Sequence, residues 1–200
     1  GKLVMTWTGV DGDKAGIYTR EFVLTSTGVQ AVTVDKLVNT YQVGDQTESS
    51  VTYLQDGSFV MSWTSSAQDG SGNGVYLQKY DANLNKVGDE QIVNTYYTGS
   101  QNDSTIKGLN NGGYVVVWTS YGQDGLGLAD GVYMQRFAAN GQKLGAEEQV
   151  ADSWYLNQNQ PSVDTLEGGG FVVSWTGYRE KTSTTEIYTQ RYDDNGNKVA

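Results

Sequence analysis

Four tryptophans, Trp7, Trp63, Trp118 and Trp175, recur at intervals of 56, 55 and 57 residues, each inside a near-identical segment: LVMTWTG, FVMSWTS, YVVVWTS and FVVSWTG. A repeat of this length constrains the fold strongly, because each copy is one supersecondary unit that buries its apolar face only against its neighbours. A second segment follows each Trp segment (GIYTREF, GVYLQKY, GVYMQRF and EIYTQRY) and puts Tyr18, Tyr76, Tyr133 and Tyr188 in register. A third ends at Val38, Val93 and Val150, and a fourth holds Val51, Ile106 and Val163. The 200 residues therefore read as one domain, 1–200, of four units at approximately 1–56, 57–111, 112–168 and 169–200.

The enrichment in Val, Tyr, Trp and Thr suits a pleated surface, and Asp56-Gly57, Asn111-Gly112-Gly113, Gly168-Gly169-Gly170, Asn140-Gly141 and Asn195-Gly196 supply hairpin turns between the segments. Each unit is expected to be a four-stranded antiparallel meander. In the third Trp strand Tyr114, Val116 and Trp118 alternate with Val115 and Val117, so both faces are apolar and each sheet must lie between others. Stacked meanders at this period are β-propeller blades, so the expected fold is all-β, with a linear stack of sheets or a set of β-sandwiches as the alternative. The distance from Val38, Val93 or Val150 to the next Trp is 25 residues in each case, whereas the span from Trp to Tyr varies from 11 to 15, which places the variable loop at the surface. The first unit opens in its Trp strand and the last stops at Asn197-Lys198-Val199-Ala200. This phase, with a start at Gly1, suggests an excerpt from a longer polypeptide whose exposed sheet edges pair with flanking repeats or with other copies.

The absence of Cys and His removes thiolate nucleophiles, disulfides, the usual zinc sites and imidazole chemistry. A net charge of -10 argues against nucleic acid as a partner. No stretch is long and apolar enough for membrane insertion as a helix.

The segment from Gly112 to Gly145, GGYVVVWTSYGQDGLGLADGVYMQRFAANGQKLG, resembles a repeat of very large secreted bacterial proteins, among them adhesins and hemolysin-type (RTX) calcium-binding proteins. The resemblance covers all four units. It rests on the Trp strand, the Gln68-Asp69-Gly70 and Gln123-Asp124-Gly125 loops, the Tyr-x-Gln-Arg/Lys-aromatic strand, and Val-Asn-Thr at 38 to 40 and 93 to 95. The first and fourth units depart from it, with Val10-Asp11-Gly12-Asp13 and Arg179-Glu180-Lys181-Thr182 in place of the Gln-Asp-Gly loop. It implies type I secretion, an extracellular or cell-surface location and a non-catalytic role.

Two groups of residues are candidate sites. The loops that cross between units carry Gln46, Gln101 and Gln158 at one equivalent position, beside Tyr41, Tyr96 and Trp154. Amides next to aromatics suit sugar hydroxyls and stacked sugar rings, and equally suit hydrogen bonds that hold the crossing itself. Asp11 with Asp13, Asp69 with Asn73, and Asp124 with Asp130 place oxygen donors close together among glycines. Calcium fits that chemistry, and so does a solvated turn. Remaining acidic residues such as Glu147-Glu148 and Asp193-Asp194 read as solvated charge. The sequence thus leads to the expectation of a non-enzymatic extracellular module for adhesion or assembly, with a carbohydrate-binding propeller lectin as the alternative and glycans as its partners.

Overall fold

The computed structural model describes the chain except residues 1, 13, 126–128, 152–156, 180–182 and 200. Sixteen strands form four antiparallel sheets among the described residues. The first contains β1 (Lys2–Val10), β2 (Ala15–Thr25), β3 (Gly28–Ala31) and β4 (Lys36–Leu37), the last two both pairing with β2. The second runs β5 (Gln46–Tyr53), β6 (Phe59–Ser66), β7 (Asn73–Tyr80), β8 (Lys86–Ile92). The third is β9 (Gln101–Gly108), β10 (Tyr114–Tyr121), β11 (Asp130–Phe137), β12 (Lys143–Gln149), and the fourth is β13 (Gln158–Thr165), β14 (Phe171–Arg179), β15 (Thr184–Tyr192), β16 (Lys198–Val199). These are propeller blades, 1 to 4 in chain order.

The repeat anchors pair directly: Trp7↔Tyr18, Trp63↔Tyr76, Trp118↔Tyr133 and Trp175↔Tyr188. The sheets are offset from the sequence units, because the strand holding Val51, Ile106 or Val163 joins the Trp strand that follows it rather than the one before. Lys198 and Val199 open the outer strand of blade 4. Blade 1 has no strand on the far side of β1 among the described residues.

Two-sided burial appears as three apolar joints. Val4, Ile17 and Val38 of blade 1 pack on Phe59, Met61, Trp63, Tyr76 and Tyr80 of blade 2. Val60, Val75, Leu77 and Val93 of blade 2 pack on Tyr114, Val116, Trp118, Tyr133 and Phe137 of blade 3. Val115, Val117, Val132, Met134 and Val150 of blade 3 pack on Phe171, Val173, Trp175 and Tyr192 of blade 4. Each blade therefore shows a Trp face to its predecessor and an aliphatic face to its successor, as the alternation of side chains along a strand requires. In blades 2 to 4 the Trp face ends in a stacked aromatic pair across strands: Phe59 on Tyr80, Tyr114 on Phe137 and Phe171 on Tyr192.

Candidate functional site

The innermost strands β5, β9 and β13 each break register at one place, between Thr47 and Ser50, between Asn102 and Thr105, and between Asn159 and Ser162. At each break two residues oppose one tryptophan, Trp63, Trp118 or Trp175, which is a β-bulge. The first bulged residue is Glu48, Asp103 or Gln160, with φ of 56°, 54° and 53°. Left-handed backbone is costly for residues with a Cβ, and such strain gathers where a side chain has to be aimed. The bulge turns these three side chains out of the strand's alternation.

Glu48 and Asp103 meet across the joint between blades 2 and 3. One Glu48 carboxylate oxygen accepts the Thr64 hydroxyl at 2.6 Å and the Asp103 backbone N–H at 2.9 Å. Burial, then the charges of Glu48 and Asp130, then the closeness of the Glu48 carboxyl push Asp103 above the ordinary carboxylate range. Asp130, at the start of β11, is likewise raised, chiefly by burial, while a hydrogen bond from Asn159 on the neighbouring innermost strand opposes the shift. In blade 2 Asn73 occupies the position of Asp130 and donates to Asn102 Oδ1 at 2.8 Å. Beside Asn159 lies a recess of about 230 Å³ lined by Asn157, Asn159, Thr176, Tyr178 and Thr185. The arrangement is a pair of neighbouring carboxyls, with a third carboxyl nearby and a border of amides and hydroxyls.

The crossing glutamines lie elsewhere. Gln46, Gln101 and Gln158 are fully buried. The amide of Gln46 lies 3.0 Å from that of Asn39, whose Oδ1 accepts the buried Ile17 N–H at 2.7 Å. Gln101, Asn94 and the Val75 N–H repeat the arrangement. In the third crossing Ala151 replaces the asparagine. Of the two readings open for these amides, the backbone-holding one describes Gln46 and Gln101; with no exposed surface, the three glutamines do not present themselves to a sugar.

Tyr41 lines a cleft of about 490 Å³ between blades 1 and 2 together with Thr40, Gln68, Lys86, Asp89 and Glu90. Tyr96 is half-buried near Tyr133 at the next joint. Trp154 lies outside the described residues. The glutamine of each Gln-Asp-Gly loop completes an inter-blade brace. Glu90 accepts the Thr40 N–H at 2.7 Å and the Gln68 amide at 2.6 Å; Glu147 accepts the Thr95 N–H at 2.7 Å and the Gln123 amide.

Among the described residues, the oxygen donors grouped for calcium have contacts within the protein, and Asp124 lies near enough to Asp130 for its charge to raise that carboxyl's pKa. Asp69 turns back onto the Ser71 N–H at 3.0 Å, whereas Asn73 reaches to the next blade. Asp124 sits over Gly131 and contributes charge near Tyr133, whereas Asp130 borders the carboxyl pair. Asp11 accepts the Asn39 amide at 3.2 Å, and Asp13 lies outside the described residues. Among the described residues no three acidic side chains are close enough together to hold a metal ion. The Asp of each loop instead occupies the space above a strand glycine: a Cβ on Gly16 would fall 2.6 Å from Asp11, and one on Gly74 3.0 Å from Asp69. Blade 4 has Glu186 where that glycine stands, and Glu186 accepts the Tyr188 hydroxyl at 2.6 Å.

No family model matches the chain, and no curated protein matches it. Solved structures do. An endo-arabinase from Bacteroides thetaiotaomicron is similar with a TM-score of 0.54 and 13% identity, covering 98% of this chain and 74% of that one. A thermostable family-43 glycoside hydrolase is similar with a TM-score of 0.52 and 9% identity, covering 90% and 69%. The microbial sialidase Hz136 gives a TM-score of 0.57 and 10% identity over 90% of this chain and 44% of its own. The chain has a β-propeller fold, similar to the folds of these proteins. This finding corrects the expectation of a non-catalytic adhesion or assembly repeat, and with it the expectation that the chain is not an enzyme. Both rested on reading the repeat architecture and its dispersed acids as signs against catalysis. The same architecture carries hydrolases, and here two of the acids meet at adjacent bulges.

Proposed function

We propose that this chain is a carbohydrate-active propeller that binds a glycan over the bulges of blades 2 and 3 and performs acid–base chemistry there on a glycosidic bond. The observation that carries this reading is the pair of adjacent innermost strands, each holding a strained left-handed residue, that place Glu48 and Asp103 side by side, with the Glu48 carboxylate accepting the Asp103 backbone N–H. Glycoside hydrolysis needs one carboxyl that keeps a proton to give to the leaving oxygen and another that is ionised. Asp103, with its raised pKa, is the proton donor, and the neighbouring Glu48 charge together with burial keeps the proton on it. Asp130 is the carboxylate that directs water or stabilises positive charge on the sugar ring. Asn73, Asn102 and Asn159 are neutral groups of the kind that pair with hydroxyls. The names of the similar structures, an endo-arabinase, a family-43 glycoside hydrolase and a sialidase, support the substrate class. The secreted setting that the repeat resemblance implies would bring the chain to extracellular polysaccharide.

The test is to incubate the purified chain with arabinan, xylan and a sialoside, following released sugar and, by calorimetry, binding. One substrate class is expected to be bound and cleaved. Asp103→Asn should lower turnover by roughly 10²-fold or more, the scale of general acid catalysis, while binding persists. Folded protein that binds none of these glycans would contradict the proposal.

A further inference from the structure

The cleft of about 490 Å³ between blades 1 and 2 lies against β8, the outer strand of blade 2, at the opposite edge of that sheet from the bulge on β5. Its volume falls in the range of small-ligand pockets, about 300–1,000 Å³. Part of its lining is committed to the protein. Glu90 accepts the Thr40 N–H and the Gln68 amide, and the buried Gln78 amide donates to the Gly88 carbonyl at 3.1 Å, where β7 and β8 shift register. These bonds fix the walls. Beside them lie Tyr41, the exposed Asp89 and the Lys86 ammonium, which gives one of its donors to the Thr40 hydroxyl at 3.2 Å. The next joint repeats most of the set, with Tyr96, Gln123, Lys143 and Glu147 at equivalent positions, but Ala146 stands where Asp89 does. There Lys143 is drawn onto the Val93 carbonyl at 2.7 Å, as Lys198 is onto the Val150 carbonyl at 2.9 Å, whereas Lys86 reaches past Val38 to the Thr40 hydroxyl. The shared frame therefore braces the blades, and the first joint differs by a carboxylate and by an ammonium turned to a side chain rather than to backbone.

We propose that this cleft is a second carbohydrate site, which holds a neutral sugar unit of a glycan between Tyr41, Lys86 and Asp89, apart from the bulges. Charge selects the ligand class. An anion would meet Asp89 and Glu90 and a cation would meet Lys86, so the lining favours neither sign. A neutral sugar uses both: its hydroxyls donate to the Asp89 carboxylate and accept from the Lys86 ammonium. Its C–H face packs on the Tyr41 ring. Walls that the protein's own bonds already fix lower the ordering cost of binding. The site rests on the reading of the chain as carbohydrate-active and adds a place of attachment on the outer strand, away from the proposed chemistry on the innermost ones.

The experiment is backbone-amide NMR of the chain titrated with an arabino-oligosaccharide and, separately, with a xylo-oligosaccharide, for the wild type, Tyr41→Ala, Asp89→Ala and Asp103→Asn. At least one of the two sugars should move the signals of Tyr41, Lys86 and Asp89 to saturation, in the wild type and in Asp103→Asn alike. Asp89→Ala gives blade 2 the residue that blade 3 carries as Ala146, so the fold should hold. It should weaken binding at the cleft by about tenfold, the scale of a lost hydrogen bond to a charged group, and Tyr41→Ala should weaken it as well. The signals of Lys143 and Ala146 at the next joint should stay in place. Shifts confined to the bulge residues would overturn the cleft site and leave the proposed chemistry standing, and shifts confined to the cleft would do the reverse. Signals that move with neither sugar would overturn the cleft site, as would binding there that Asp89→Ala and Tyr41→Ala leave unchanged.

Discussion

The joint between blades 2 and 3 and the joint between blades 3 and 4 share an apolar design and differ in their polar fittings. Both stack an aliphatic face on a Trp face, with Trp118 or Trp175 packed in the middle. At the first, Asn94 and Gln101 join amides in the crossing, and Glu48 and Asp103 face each other on bulges. At the second, Ala151 stands in the position of Asn94 and Gln160 in that of Asp103. The apolar alternation alone therefore suffices to stack blades, and the polar groups are additions that make one joint chemically different. The bulge persists at Gln160 without a carboxyl, so it is a property of the innermost strand, and the acid is what distinguishes blades 2 and 3.

The largest effect is expected in the shared design. Trp118→Ala should cost about 3–5 kcal/mol as a truncation in a packed core, measured by denaturant unfolding. The same change at Trp7, on the open face of blade 1, should cost well under half as much, since that ring is only half-buried. Equal losses would mean that the joints do not carry the stability.

A smaller effect tests the amide fitting. Asn94→Ala leaves the buried Val75 N–H without its acceptor and should cost about 1–3 kcal/mol, the usual penalty for an orphaned buried donor. Asn39→Ala should behave alike through Ile17. If both changes are neutral, the difference between the crossings has no energetic content.

The smallest effect, and of opposite sign, concerns the carboxyl pair. Asp103 has a raised folded-state pKa, so the folded protein holds that proton more tightly than the unfolded chain does. The resulting stabilisation is fully present below the ordinary aspartate value, about 3.9, and is lost as the pH rises through the raised one. Asp103→Asn, which has no proton to lose, should therefore raise Tm slightly at neutral pH, and the gain should shrink as the pH falls toward about 4. A variant less stable than the wild type at neutral pH would place the carboxylate among the stabilising groups. Higher stability with lower turnover would be the usual relation between an active site and the fold that bears it.

The stacking was legible in the sequence because it rests on period: the Trp and Tyr positions, the alternation of Tyr114, Val115, Val116 and Val117, and the glycine turns all follow from the local chain. One hairpin turn was hidden because Leu84, at φ 63°, occupies the left-handed position that Gly141 and Gly196 fill in the next two blades. The carboxyl pair was hidden for a different reason. In a regular strand Glu48 and Asp103, at equivalent positions, would keep to the same face of their own sheets as Gln46 and Gln101, and the bulge opposite each Trp breaks that alternation. A signal was nonetheless present: Glu48, Asp103 and Gln160 each stand two residues after a crossing glutamine. Those glutamines attracted attention as recurring amides, whereas burial makes them supports for the crossing. Among the described residues no third acidic group joins the oxygen pairs grouped for calcium, and in blade 2 Asp69 serves the local turn while Asn73 reaches the next blade.

That Asp103 keeps its proton beside Glu48 is tested most directly by carboxyl-carbon NMR during a pH titration. Asp103 should titrate above the ordinary aspartate range. In Glu48→Gln the Asp103 midpoint should fall, because a negative neighbour has been removed. An Asp103 that titrates at an ordinary aspartate value and is unmoved by Glu48→Gln would contradict the proposed role of the pair.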